Sequence, residues 1–175
     1  MRKRLHAWIK KKHRGLMIRR TANPYLDHLI FVAERAGKVI PLGYEIGICH
    51  DLLEETHVTS EKLLNKMMSF GYMEAQAHHI VTCVVELTDV FTKKSFPDLP
   101  KRERKRREAA RLTDISADAQ TVKYADLIYN INWTVMYDKD NAADYLYRKQ
   151  QLIRLMNMGD EGLRTEALSL ISRYI

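Results

Sequence analysis

His50 and Asp51 are neighbours in the apolar stretch GYEIGICHDLLEE (residues 43–55), with Glu54 and Glu55 one helical turn further on. A carboxylate and an imidazole buried side by side are costly unless they are paired or bound to metal. At helical spacing Glu54 comes over both His50 and Asp51, and Glu55 over Asp51. Three carboxylates this close repel one another, and a divalent cation would remove that cost. A satisfied surface cluster could use the same residues, so the pair needs support from elsewhere. Two segments supply it. In NPYLDHL, His28 sits among apolar neighbours, where a histidine can equally serve as a core residue. In VKYADLIYN, Asp126 sits mid-helix beside Val122, Ala125, Leu127 and Ile128, with Lys123 and Asn130 one turn to either side. Asp is a poor helix former and a poor core residue, so this one calls for a partner. One cation held by His28, His50, Asp51 and Asp126 gives every one of these groups a partner. Mixed imidazole and carboxylate ligands suit Mn2+, Fe2+, Zn2+ or Co2+ rather than Ca2+.

The elements that must carry these residues read as helices throughout. A short basic helix spans 2–12, with Leu5, Trp8 and Ile9 on one side, and residues 13–24 form a loop broken by Gly15, Asn23 and Pro24. Helices follow over 25–37, ended by Gly37, and over 43–55 as one buried segment. Thr59 is placed to cap a helix running to about Phe70, with Gly71 as its stop. Further helices cover 73–88, 101–112, 117–137, and stretches near 141–157 and 160–173, with a Pro-containing loop at 89–100. No segment alternates with period two, so no sheet is expected.

The chain has 175 residues, 46% of them apolar, which suits one globular domain with a real core. Cys49 and Cys83 are too few for a disulfide framework and lie in apolar helical runs. They read as reduced thiols, and the expected compartment is cytoplasmic. The basic start is not followed by a signal-peptide core, and no window approaches a membrane span. The charge is 29 basic minus 22 acidic residues, or +7. It is concentrated in two blocks. Residues 1–20 hold nine Lys or Arg and no acid, and residues 101–111 hold seven basic residues and two acids. Unless they are solvated helix faces, such blocks imply an anionic partner, either nucleic acid or a polyphosphorylated nucleotide.

The order His, then His-Asp, then a distant Asp is the signature of the HD superfamily. The words HRG, NPYLDH, HDLLEET, LTD, LPKRERKR and VKYADLIYNI resemble, in order and spacing, the hydrolase domain of RelA/SpoT enzymes, and most of all the stand-alone small alarmone hydrolases. The resemblance covers about residues 10–157. It implies an all-α, single-domain HD-type bundle over 1–175 with a divalent metal, Mn2+ as first choice, at its centre. It implies metal ligands at His28, His50, Asp51 and Asp126. It puts a catalytic pair at Glu54 and Glu55, with Glu in the second place where Asp is usual, and substrate contacts at Tyr25, Asn130 and Tyr145. Leu29 stands where Pro is usual, and the loop GLMIRRTAN is shorter and more apolar than the family's. The implied reaction is hydrolysis of guanosine 3′,5′-bis(diphosphate) at the 3′ position to GDP and pyrophosphate. The substrate is thus a guanosine polyphosphate rather than nucleic acid, and neither a membrane nor a synthetase domain is expected. Arg14, Arg19, Arg20, Lys101, Arg104, Lys105 and Lys123 are candidate phosphate contacts. Two alternatives stay open: an HD phosphatase acting on another nucleotide, and a silent module that binds an alarmone.

Overall fold

The computed structural model describes residues 1–175 as ten helices and no strand. An isolated bridge between Met17 and Pro24 is the only β feature. The helices are α1 (Arg2–Lys12), α2 (Tyr25–Ala36), α3 (Gly43–Cys49), α4 (Leu52–Glu55), α5 (Ser60–Ser69), α6 (Glu74–Leu87), α7 (Lys101–Thr113), α8 (Ala117–Tyr137), α9 (Lys139–Leu155) and α10 (Glu161–Ile171). The all-α expectation holds. Thr59 caps α5 through its hydroxyl, which accepts from the Lys62 amide at 3.2 Å, and Gly71 follows the helix with φ of 97°.

One expected element is corrected. Residues 43–55 are not a single helix, because the chain breaks at His50 and Asp51 and restarts as α4. The His50 amide reaches only to the Gly47 carbonyl, at 3.5 Å, and the His50 Nδ1 donates to that same carbonyl at 2.7 Å. The imidazole thus competes with the backbone for its own helix's acceptor, as short polar side chains do where helices end. The break turns Asp51 toward α2.

α8 is the axis of the bundle and packs against α2, α3, α6, α9 and α10. Residues 119–122 and 124–128 are buried in succession, so this helix is enclosed on every face. α2 and α3 cross with their backbones nearly in contact at Gly47. A Cβ there would lie 2.7 Å from the Ala33 Cα and 2.9 Å from the Ala33 N. That approach, open only to glycine, brings His28 of α2 up to His50. A contiguous core of 35 buried residues includes both cysteines, which are free thiols. Burial pushes the Cys83 thiol up to about 11, so it is inert at neutral pH.

Buried charges outside the helix crossing are paired. Glu45 of α3 accepts from Arg2 Nε at 3.0 Å, Arg2 Nη2 at 3.2 Å and the Tyr72 hydroxyl at 3.1 Å, which docks α1 on α3. Glu108 of α7 accepts from the amides of Val90 and Phe91 at 3.0 and 2.8 Å, while Arg111 donates to the carbonyls of Glu86 and Thr88 at 2.7 and 3.1 Å. These bonds fix the loop that leaves α6. No helix is long and apolar enough to cross a membrane.

Candidate metal centre

Four side chains from three places in the bundle converge on one point. His28 comes from the first turn of α2, His50 and Asp51 from the break after α3, and Asp126 from the enclosed stretch of α8. His28 Nε2 lies 3.2 Å from His50 Nε2, 3.5 Å from Asp51 Oδ2 and 3.4 Å from Asp126 Oδ1. His50 Nε2 lies 3.0 Å from Asp51 Oδ2 and 3.8 Å from Asp126 Oδ1. Ligands about 2.1 Å from one cation, at tetrahedral to octahedral angles, stand about 3.0–3.4 Å apart. His28, His50 and Asp51 therefore fit a single divalent ion, and Asp126 lies beside both histidines at 3.4 and 3.8 Å.

The orientation of each donor has a cause. His50 Nδ1 carries the hydrogen given to Gly47, so Nε2 is the ring nitrogen that faces the cluster. Tyr25, the first residue of α2, donates its hydroxyl to Asp51 Oδ2 at 2.5 Å, and its ring stacks on the buried His13 of the HRG segment. Asp126 accepts from Lys123 Nζ at 2.8 Å and Asn130 Nδ2 at 2.6 Å, so both neighbours expected from its helix face do meet it. Tyr129 packs its ring 4.5 Å from that of His28.

The electrostatics reflect crowding. Burial alone would lower the His50 pKa, but the Asp51 and Asp126 carboxylates outweigh it and raise it to about 9. Burial would raise Asp51, yet His50 and His28 hold it well below the usual carboxylate range. Asp126 is likewise held down, by Lys123 first. A cation would take over the work the His50 imidazolium charge does, displacing its proton.

Glu54 and Glu55 flank the cluster from α4. Although Glu54 is exposed as a residue, its carboxyl sits between Asp51 and the loop after α6, and Oε1 accepts from the Asp89 amide at 2.8 Å. Partial desolvation, then the Asp89 and Asp51 carboxylates, push its pKa up to about 7. Glu54 is therefore turned to Asp89 instead of lying over His50, as continuous helical spacing would have it. Glu55 is more open, with its carboxyl raised by desolvation and Asp51.

The expected phosphate contacts divide. Tyr25, Lys123 and Asn130 are at the cluster. Tyr145 of α9 has its hydroxyl raised by burial and then by Asp126, which places it beside the same residues. Lys101 and Lys105 lie on α7, with Lys105 lowered by desolvation and by Arg148 and Lys101. Arg104 donates to the Leu99 carbonyl at the start of its own helix. Arg14 and Arg19 are exposed without side-chain partners. Arg20 is drawn away to the Tyr137 carbonyl and to Asp138 at 3.1 Å. Tyr137 is eleven residues along α8 from Asp126, or roughly 16 Å. Asp89, Tyr129 and Lys149 have no expected role from the sequence, yet the fold brings all three beside the cluster. The LTD word was the available signal for Asp89, and the four-residue spacing from Tyr145 was the one for Lys149.

No protein-family model matches the chain. It is 33% identical over 112 residues to the mouse protein named guanosine-3′,5′-bis(diphosphate) 3′-pyrophosphohydrolase MESH1, a stretch that is 62% of this chain and 54% of that one. The chain thus matches about half the length of this curated relative. A solved structure, of a metazoan ortholog of SpoT described as hydrolysing ppGpp, shares its fold with a TM-score of 0.75 at 20% identity, covering 97% of this chain and 92% of the other. In sequence over the shared stretch, and in fold along nearly its whole length, the chain resembles the SpoT-like hydrolases of the HD superfamily.

Proposed function

We propose that this protein hydrolyses guanosine 3′,5′-bis(diphosphate) at its 3′ position, giving GDP and pyrophosphate, as one HD hydrolase domain over residues 1–175. The observation that carries the proposal is the meeting of two imidazoles with each other and with two carboxylates at 3.0–3.8 Å, beside a carboxyl raised to about 7. The similarity to the mouse enzyme supports the choice of substrate.

His28, His50, Asp51 and Asp126 would hold one divalent cation, Mn2+ as first choice, which supplies Lewis-acid polarisation of the phosphoryl group when bound. Glu54 is the general base. Its carboxyl, anchored by the Asp89 amide, titrates near neutral pH, where proton transfer to and from water is most effective. It takes a proton from a water whose oxygen bonds to the phosphorus attached to O3′. The P–O3′ bond breaks, pyrophosphate leaves with the water oxygen, and O3′ takes up a proton as GDP forms. Glu55 orients the water from the more open side. Tyr25 fixes Asp51, while Lys123 and Asn130 fix Asp126.

Product analysis by ion-exchange chromatography, with Mn2+ present and a panel of guanosine and deoxynucleotides, tests the proposal. Equal amounts of GDP and pyrophosphate from the bis(diphosphate), with dGTP and GTP spared, are expected. Orthophosphate release, or turnover of deoxynucleotides with the bis(diphosphate) untouched, points instead to a nucleotide phosphatase. Binding without turnover points to a silent module.

A further inference from the structure

Lys149 is the one half-buried cation beside the cluster without an ion-pair partner. It lies one turn after Tyr145 on α9, with its Nζ 5.4 Å from the Tyr145 ring centroid, and it makes no hydrogen bond or ion pair. Lys123, Asp126, Asp89 and Arg148 are the charges around it. Of these, Asp126 is already engaged by Lys123 and Asn130, and Arg148 is itself paired with Asp144 at 3.0 Å. The contrast with the rest of the fold is plain: Arg2, Arg111 and Lys123 all meet carboxylates at 2.5–3.0 Å. Burial first, then Lys123, pulls the Lys149 ammonium down to about 8, so the free protein carries it at a cost.

A fold that desolvates a cation next to another cation and gives it no partner has left room for an anion from outside. Lys105, facing across from α7, extends the same positive surface outward past Arg148. We propose that Lys149 binds the 5′-diphosphate of the substrate, the diphosphate that is not at the four-donor cluster, and so selects nucleotides phosphorylated at both ends. This inference rests on the function proposed above. Lys123 is less suited to the task because Asp126 already neutralises it.

The test is Lys149→Gln beside Lys149→Arg. A lost charge-assisted contact of this kind corresponds to roughly a tenfold to hundredfold weakening. Lys149→Gln should raise KM for the bis(diphosphate) by that factor while kcat changes little, because the 5′-diphosphate is held alike in ground and transition states. Calorimetric binding of GDP, which carries only the 5′-diphosphate, should weaken in parallel with chelator present, and Lys149→Arg should restore both. The ligand-free Lys149→Gln protein should melt no lower than the parent, since an unanswered charge has been removed. A structural lysine would give a lower melting temperature instead. Unchanged KM, or a fall in kcat alone, overturns the inference. Absence of turnover in the parent protein refutes the proposed function instead, and the GDP and melting measurements still decide on Lys149.

Discussion

Replacing Asp126 by Asn perturbs two things that separate experimentally. In the metal-free protein, Asp126 is the partner of a nearly enclosed ammonium: its side chain is 5% exposed, that of Lys123 17%, and they meet at 2.8 Å. Asn at 126 leaves Lys123 charged, desolvated and facing a neutral amide. Removing one partner of a buried pair costs about 3–5 kcal/mol, and the residual exposure of Lys123 argues for the lower end. In a chain of this length each kcal/mol moves the melting temperature by roughly 2–4 °C, so 3 kcal/mol corresponds to a fall of about 6–12 °C. With metal, the parent at a hundredfold excess over Kd should gain about 2.7 kcal/mol, or roughly 5–10 °C. The variant should gain almost nothing, having lost one of four donors and one of two ligand charges. Scanning calorimetry with and without Mn2+ reads both effects, and circular dichroism checks that the helices persist. Adding Lys123→Met to Asp126→Asn should recover part of the metal-free loss without restoring the response to metal. A variant that melts like the parent and keeps the full metal-induced rise would refute both the buried pair and the place of Asp126 among the donors.

Three further outcomes follow from the same geometry. Glu54→Gln keeps an acceptor for the Asp89 amide, so metal binding, measured by elemental analysis, should be unchanged while turnover falls by roughly 10²-fold or more; loss of the metal would make Glu54 a ligand. Gly47→Ala forces α2 and α3 apart at Ala33, with an expected cost of about 1–3 kcal/mol in denaturant melts and weaker metal binding through the displaced His50. In the metal-free protein the His50 pKa stands at about 9 against an ordinary 6.5, so the stability it contributes is full below pH 6.5 and is lost as pH rises through 9. Melting temperature without metal should fall across that window, while metal affinity, measured by competition with a chelating dye, should rise as the competing proton leaves; a flat pair of profiles would contradict the His50 assignment.

Much of this arrangement is legible in the residues because the costs involved are large. An aspartate in the middle of an apolar helix needs a partner, and Asp126 has two on its own helix and the histidines across the crossing. The helix boundaries follow Gly and Thr signals, which are local, and α8 matches its expected span of 117–137. The failures come where side chains compete with local periodicity. A helical wheel for 43–55 cannot show that the His50 ring takes the Gly47 carbonyl and breaks the helix, which sends Glu54 to Asp89. Nor does a basic run say which of its members are occupied. Arg106 and Arg107 pair with Glu103, Arg111 with Glu108, and Arg104 turns back on the Leu99 carbonyl, leaving Lys101, Arg102 and Lys105 as the cations of α7 without a hydrogen-bond or ion-pair partner. Arg20 sits in a left-handed backbone conformation with φ of 59° and reaches the far end of α8, a contact set by tertiary folding of the 13–24 loop. Lys149 becomes conspicuous only when the absence of a partner can be seen, and that is a property of the packed structure.

The proposed reaction is cleavage of guanosine 3′,5′-bis(diphosphate) at the 3′ position, supported by one cation held by the four converging donors. Titrating chelator-stripped protein with Mn2+, while following GDP and pyrophosphate release and metal content together, tests it most directly. Turnover should be absent from the stripped protein and rise linearly to a plateau at one ion per chain, with the two products formed in equal amounts. Turnover that persists in metal-free protein, or that releases orthophosphate at every metal loading, would contradict it.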